Sequence, residues 1–160
     1  MTVTEIGERE TRFVIGVDPG TTTGIVVWDN LDRSVIVQDA LKPEEALSFL
    51  SHLVMSLVHN GTPPVIVIER LDISMDTVRK SREGINDLIH VLGATWALAL
   101  GYELGYFELG RSDTKNFVKD ESLKRHSLWL KSRHARDALR VVFTWLAKTD
   151  HDFVRNFWVN

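Results

Sequence analysis

An apolar run that ends abruptly on one carboxylate constrains this chain more than any other feature. Residues 13–17, Phe-Val-Ile-Gly-Val, are mostly aromatic or β-branched and predict a buried strand. Asp18 follows them, and Pro19 with Gly20 supplies the turn that ends the strand. A second apolar run at 23–28 is close enough to return as a hairpin. An aspartate before Pro-Gly is also a common turn former, so Asp18 alone does not identify a site.

The order of the predicted elements indicates an α/β fold with one five-stranded mixed sheet flanked by helices. Strands at 13–18, 23–28 and 34–38 have short turns between them and form an antiparallel three-strand meander. A helix with Pro43 in its first turn then leads to a strand at 65–69, which implies a right-handed crossover and a parallel pairing. The later elements are a helix at about 82–100, a fifth strand at 102–109 and a closing helix that begins near His134.

The remaining segments have less regular patterns. Residues 1–11 are polar and are predicted as a flexible N-terminus, followed by a single domain at 12–160. The polar segment 119–133 has no clean period and is predicted as a mobile loop. The helix at 82–100 carries an apolar stripe beside a glycine that permits a close approach. The stripe consists of Ile85, Leu88, Ile89, Leu92 and Trp96, and the glycine is Gly93.

Composition excludes several classes of protein. Apolar residues make up 44% of the chain, which is enough for a substantial core, and the formal charge of -3 gives no global signature of nucleic-acid binding. The lack of cysteine excludes disulfides, thiolate metal sites and a cysteine nucleophile. No apolar run approaches the ~18 residues of a membrane helix, and the N-terminus lacks the pattern of a signal peptide. We therefore expect a cytoplasmic protein without a membrane partner.

Three further candidate ligands accompany Asp18. Glu69 ends an apolar strand in the same way, and His134 and Asp137 lie three residues apart on one face of the closing helix. If the first and fourth strands pair in parallel, Asp18 and Glu69 emerge side by side at the carboxyl edge of the sheet. Each residue also has a purely structural interpretation, such as an ion pair of Glu69 with Arg70 or a favourable helix-dipole interaction of Asp137.

The chemistry of this set favours divalent cations. Three carboxylates in one place repel one another unless cations neutralise them, and hard ions with oxygen ligands suit the site. Mg²⁺ is the expected cofactor, and the imidazole makes Mn²⁺ plausible too. Two such ions about 4 Å apart would activate a water and stabilise the leaving oxygen of a phosphodiester, so in-line hydrolysis is the expected reaction.

A cation-rich segment is consistent with a phosphodiester substrate. Residues 111–140 contain nine Lys or Arg and four acids, although a solvated loop and helix face would have the same composition. Lys115 and Lys119 are the candidates to contact the reacting phosphate, and binding should weaken steeply with salt. The predicted DNA-binding residues are Arg79, Lys80, Arg82, Lys115, Lys119, Lys124, Arg125, Lys131, Arg133 and Arg136.

With these residues placed, the chain resembles the RuvC family of Holliday junction resolvases, within the RNase H-like superfamily. The matching stretches are Ile-Gly-Val-Asp-Pro-Gly-Thr-Thr-Thr-Gly at 15–24, Val-Ile-Glu at 67–69 and His-Ala-Arg-Asp-Ala-Leu at 134–139. The resemblance implies an RNase H-like nuclease domain that cleaves four-way DNA junctions in recombination and repair. It also implies that Asp18, Glu69, His134 and Asp137 are the catalytic, metal-binding residues.

The same resemblance implies a homodimer with two active sites on one branched DNA. In the family a helix after the glutamate strand lies at the dimer interface, and here that helix is 82–100. Bacterial members carry an aromatic residue three positions after the catalytic glutamate, where this chain has Asp72, so that stacking residue has no match. The segment between the fifth strand and the last helix is short, as in a compact, bacteriophage-type member.

Three alternatives remain open from the sequence. Another RNase H-like nuclease could use the same carboxylates on flaps, forks or RNA, because they determine the chemistry and not the substrate. Asp-Pro-Gly-Thr-Thr-Thr-Gly also resembles the first phosphate loop of actin-like ATPases, but the chain is short for their two lobes. The third alternative is a catalytically inert DNA-junction-binding module on the same fold.

Overall fold

Five strands and five helices occur in the part of the chain that the structure, a computed structural model, describes. That part is residues 11–70 and 82–149, without the side chains of residues 82 and 83. The elements are β1 (Phe13–Asp18), β2 (Thr23–Asp29), β3 (Ser34–Leu41), α1 (Pro43–His59), β4 (Val65–Arg70), α2 (Arg82–Gly101), β5 (Tyr106–Gly110), α3 (Arg111–Phe117), α4 (Asp120–Arg125) and α5 (Arg133–Thr149). Nearly all of the predicted N-terminal segment, and the positions of Asp72, Arg79 and Lys80, lie outside the described residues.

The strands form one mixed sheet in the order β3-β2-β1-β4-β5, with β1 at its centre. β1 and β3 each pair antiparallel with β2, which is the predicted meander, whereas β4 is parallel to β1 and to β5. Val17 of β1 lies opposite Ile68 of β4, so the residues that follow them, Asp18 and Glu69, reach the same edge of the sheet.

Both faces of the sheet are covered, which explains why β1 is apolar without alternation. Val14 packs on the side of α5, and the neighbouring Ile15 and Val17 pack on the side of α1 and α2. On the α5 side, the rings of Trp28 and Phe143 meet edge to face with their centroids 4.9 Å apart. The α5 helix is thus anchored across the sheet by its apolar face. Among the described helices, none combines the length and apolarity that a bilayer span requires.

Two predictions about local structure are wrong. The segment 119–133 was expected to be a loop, but α4 lies within it, and α3 before it was not predicted. These helices are seven and six residues long and bury little beyond Thr114 and Leu123, so too few apolar residues repeat to show a period. The fifth strand begins at Tyr106 and not at residue 102, because Glu103 takes a positive φ of 54° in the turn after α2.

Candidate active site

The four candidate ligands line one cavity of about 320 Å³ at the carboxyl edge of β1 and β4. Asp18 is the last residue of β1, and Glu69 is the penultimate residue of β4. His134 and Asp137 lie in the first turns of α5. Sheet register and helix docking therefore bring together residues that are up to 119 positions apart in the sequence.

Two glycines allow α5 to approach the sheet closely enough for this arrangement. A Cβ atom at Gly16 would overlap the carbonyl oxygen of Ala138, and one at Gly24 would overlap the carbonyl oxygen of His134. Gly24 is also the antiparallel partner of Asp18 in the β1–β2 pair. The first turn of α5 consequently lies beside the strand end that carries Asp18.

The pKa of Asp18 is affected by all three of the other candidate ligands. Nδ1 of His134 lies 3.1 Å from the Asp18 carboxylate, close enough for a hydrogen bond. Burial raises the pKa of Asp18 to about 6, the hydrogen bond with His134 opposes this rise, and the nearby charges of Glu69 and Asp137 add to it. The site therefore concentrates negative charge in a partly desolvated place.

Glu69 is held by residues of α3. The hydroxyl of Thr114 donates to the Glu69 carboxylate at 3.1 Å, and Nε of Arg111 lies 3.7 Å from it. Burial raises the pKa of Glu69, while Thr114, Arg111 and Lys115 oppose the rise and Asp137 adds to it. Sequence reasoning missed Thr114, because nothing in its surroundings marks a single threonine in an unpredicted helix.

Asp137 is held by Arg140, a residue that sequence reasoning did not assign to the site. The buried guanidinium of Arg140 donates to Asp137 and to Asp120, and its Nε donates to the carbonyl oxygen of Val118 at 3.1 Å. Arg140 therefore joins the start of α4 to the carboxylate on α5. The sequence did contain a signal for this contact, because Arg140 lies three residues after Asp137 on the same helix face.

The four candidate ligands are of the chemical types that bind a divalent cation. Three carboxylates and one imidazole are ligands that Mg²⁺ and Mn²⁺ accept. Burial is the main cause of the raised pKa of Asp18, and the charges of Glu69 and Asp137 add to it, which a cation would relieve. As the side chains of residues 11–70 and 84–149 are placed, no three or more His, Asp or Glu form a group that could hold an ion. The donor types fit the cation, but binding would require some of these side chains to shift from the positions they have here.

Part of the predicted DNA-binding set surrounds this cavity. Lys115 and Arg133 line it together with the four candidate ligands. A neighbouring cavity of about 520 Å³ shares both cations and Asp137, and adds Lys119 and Arg136. Arg125 and Lys131 are exposed and line neither cavity, and Lys124 lies against Trp129. The side chain of Arg82 is outside the described residues, as are Arg79 and Lys80.

Comparison with known proteins finds similarity in structure. No family model and no curated protein sequence matches the chain. The RuvC of T. thermophilus in complex with a Holliday junction substrate has 20% identity and a TM-score of 0.63 over 86% of this chain and 96% of that one. Another structure of Thermus thermophilus RuvC gives a TM-score of 0.60 at the same identity and coverage.

A yeast protein shares the same architecture. The mitochondrial Holliday junction resolvase Ydc2 has 16% identity and a TM-score of 0.56 over 92% of this chain and 85% of that one. At these identities the likeness establishes the fold. The prediction of an RNase H-like fold, with a five-stranded mixed sheet flanked by helices, is confirmed.

Proposed function

We propose that this chain, which has a RuvC-like resolvase fold, is a divalent-metal-dependent endonuclease that cleaves four-way DNA junctions. One observation carries the proposal: Asp18, Glu69, His134 and Asp137 line a single cavity where β1 and β4 end. Two of the structural neighbours are RuvC in complex with a Holliday junction substrate and a yeast mitochondrial Holliday junction resolvase, which supports branched DNA as the substrate. A role in recombination and repair follows from that substrate.

In the proposed reaction these four residues hold Mg²⁺ or Mn²⁺, with two ions per site. When bound, the ions would supply an activated water and stabilise the oxygen that leaves the scissile phosphate. Lys115 and Arg133 line the same cavity and would orient the phosphate through its charge. Arg111 and Thr114 contact Glu69, and Arg140 contacts Asp137, and these contacts would orient both carboxylates before a metal ion binds.

The proposal includes a homodimer formed through the helix at 82–100. The predicted stripe on this helix does not pack as a unit inside the monomer. Val91, Thr95 and Ala99 form the buried side of the helix. Ile89, Trp96 and Leu100 lie on its other side and are 50%, 54% and 60% exposed. Gly93 lies on the exposed side, and a Cβ atom there would meet nothing within 4 Å. An exposed apolar stripe of this kind supports contact with a second copy.

Cleavage of a synthetic mobile four-way junction in Mg²⁺ or Mn²⁺, with nicks mapped on denaturing gels, tests the proposal. Paired symmetric nicks are expected from wild type and none from Asp18→Asn or Glu69→Gln, while junction binding survives in both variants. Asp32→Asn is the control, because this exposed carboxylate lies in the turn after β2, at the opposite end of the sheet. It should cleave like wild type.

Other outcomes of the same experiment select between the alternatives. Preferential cleavage of flaps, forks or RNA would indicate a broader nuclease of the same superfamily. Intact, salt-sensitive binding without cleavage in either metal would indicate an inert junction-binding module. Variants that lose folding together with binding would give the carboxylates a structural role and contradict the proposed function.

A further inference from the structure

Trp129 is an exposed aromatic residue that the proposed reaction does not use. It is 40% exposed, although its neighbours in the sequence face inward. Leu130 is buried in the core on the α5 side of the sheet, and Leu128 packs against that core. The backbone therefore presents the indole to solvent between two apolar anchors.

Hydrogen bonds hold the segment that carries Trp129. The amide of Leu128 donates to the carbonyl oxygen of Leu123 at 2.8 Å. On the other side, Nη1 of Arg136 donates to the carbonyl oxygens of Leu130 and Lys131 at 2.6 and 3.1 Å. An aromatic ring on such a held segment loses little conformational entropy when it binds a planar ligand.

Two cations lie against the exposed indole. Nζ of Lys124 is 4.5 Å from the ring centroid, and Cζ of Arg136 is 4.1 Å from it. Arg136 is held by its two carbonyl partners, whereas the flexible stem of Lys124 can swing its ammonium group to a nearby phosphate. Aromatic rings flanked by cations are typical of single-stranded nucleic-acid sites, where bases stack and phosphates meet positive charge.

Arg136 connects this ring to the candidate active site. It lines the 520 Å³ cavity together with Lys115, Lys119 and Arg133. That cavity shares Lys115, Arg133 and Asp137 with the cavity that contains Asp18. Five cationic and three acidic residues line the larger cavity, so a strand whose phosphate reaches the carboxylates can pass these cations on its way to Trp129.

We propose that Trp129 stacks on an unpaired nucleobase of the DNA strand bound at the active site. This inference rests on the proposed function and specifies which feature of the DNA the site recognises. In an intact duplex both faces of each base are already stacked on other bases, so no base is free to stack on the indole of Trp129. At a branch point a base can leave the stack and meet the indole, which would give selectivity for branched over linear DNA.

Binding measured by fluorescence anisotropy tests the proposal, with Asp18→Asn as the background so that the DNA stays intact. The probes are a labelled four-way junction, a linear duplex of the same sequence and a labelled single strand. Trp129→Ala should weaken junction and single-strand binding about tenfold, the scale of one base–aromatic stack, and change duplex binding less than about twofold. Trp129→Phe should retain most of the affinity, because it keeps a stacking ring.

Tyr102→Ala is the matched control, because Tyr102 is an aromatic residue of similar exposure, 39%, just past the end of α2. It should bind all three DNAs like the background protein. Equal losses on junction and duplex, no loss on either, or a Trp129→Phe protein as weak as Trp129→Ala would overturn the stacking proposal.

The outcomes also separate this inference from the function on which it rests. If wild type cleaves the junction and Trp129→Ala binds it with unchanged affinity, the proposal that Trp129 stacks on a base is wrong and the proposed function stands. If wild type neither cleaves nor prefers the junction, while Trp129→Ala still loses single-strand binding, the base site stands and the junction function is wrong.

Discussion

The carbonyl oxygen of His134 lies so close to the backbone of Gly24 that any side chain at position 24 would overlap it. This contact places the first turn of α5 beside the end of β1, where Asp18 lies. Gly24→Ala should therefore push the helix start away from the sheet. We expect a loss of about 3 kcal/mol in unfolding free energy, from overpacking against backbone atoms that cannot move aside. Chemical denaturation would measure it.

The control for this substitution is Gly101→Ala, at the end of α2, where a Cβ atom would meet nothing within 4 Å. It should leave stability within about 1 kcal/mol of wild type, because alanine is the better helix former. At temperatures where Gly24→Ala remains folded, its junction cleavage should fall more than its binding, since His134 is displaced. Equal stability of the two variants would contradict the close-approach argument.

Arg140 is expected to position Asp137 rather than to contact DNA. Arg140→Met should leave the half-buried Asp137 carboxylate with only the more distant guanidinium of Arg133, 3.8 Å away, and reduce the unfolding free energy by about 3 kcal/mol. It should also raise the Mg²⁺ concentration needed for half-maximal junction cleavage, because Asp137 is no longer held in place. Titration of cleavage against Mg²⁺ measures this second effect.

Asp120→Asn distinguishes the ion pair of Arg140 with Asp120 from its ion pair with Asp137. The Asp120 side chain is 50% exposed, so its ion pair with Arg140 is screened and should contribute less than about 1 kcal/mol. The Mg²⁺ requirement of this variant should equal that of wild type. If Arg140→Met loses stability without any change in its Mg²⁺ requirement, Arg140 is only structural.

Much of the fold could be predicted because its strands are covered on both faces. The apolar runs that became β1 and β4 contain no polar residue before Asp18 and Glu69, so their positions and their parallel pairing followed from the pattern. Short helices could not be predicted in this way. The six residues of α4 place only Leu123 in the core, and one buried residue has no period.

The candidate ligands could be proposed from the sequence because each lies at the end of a predicted element. Arg140, three residues after Asp137, could have been proposed in this way too, but other contacts could not, since their partners come from distant parts of the fold. Thr114 meets Glu69 across 45 positions, and Arg140 meets Asp120 across 20. Trp129 lay in a segment predicted as a loop, and only the structure shows its ring beside Lys124 and Arg136.

Asp29 should make the stability of the chain depend on pH. Burial would raise the pKa of Asp29, but hydrogen bonds from Arg12 and from the amides of Asp32 and Leu31 hold it below its ordinary value of 3.8. A lowered folded pKa stabilises the protein above the unfolded value, and that contribution is lost as the pH falls through the folded pKa.

Comparison of Asp29→Asn with wild type isolates this charge. At pH 7 the variant should be about 1 kcal/mol less stable, because asparagine can still accept the backbone hydrogen bonds but cannot pair with the Arg12 charge. The difference should shrink as the pH is lowered below 3.8. Thermal unfolding of both proteins at pH 7 and pH 3 measures it, and a difference independent of pH would show that the charge contributes nothing.

The exposed stripe on α2 makes the proposed dimer testable without DNA. Trp96 is 54% exposed on a helix whose opposite side is already buried, so Trp96→Glu should leave the monomer fold intact. A glutamate at a symmetric apolar interface would face its own copy or lose its hydration, and the dimer should dissociate. Sedimentation velocity is expected to give a dimer for wild type and a monomer for the variant. Met55→Glu is the control, because Met55 is 51% exposed on α1. A monomeric wild type would contradict the dimer.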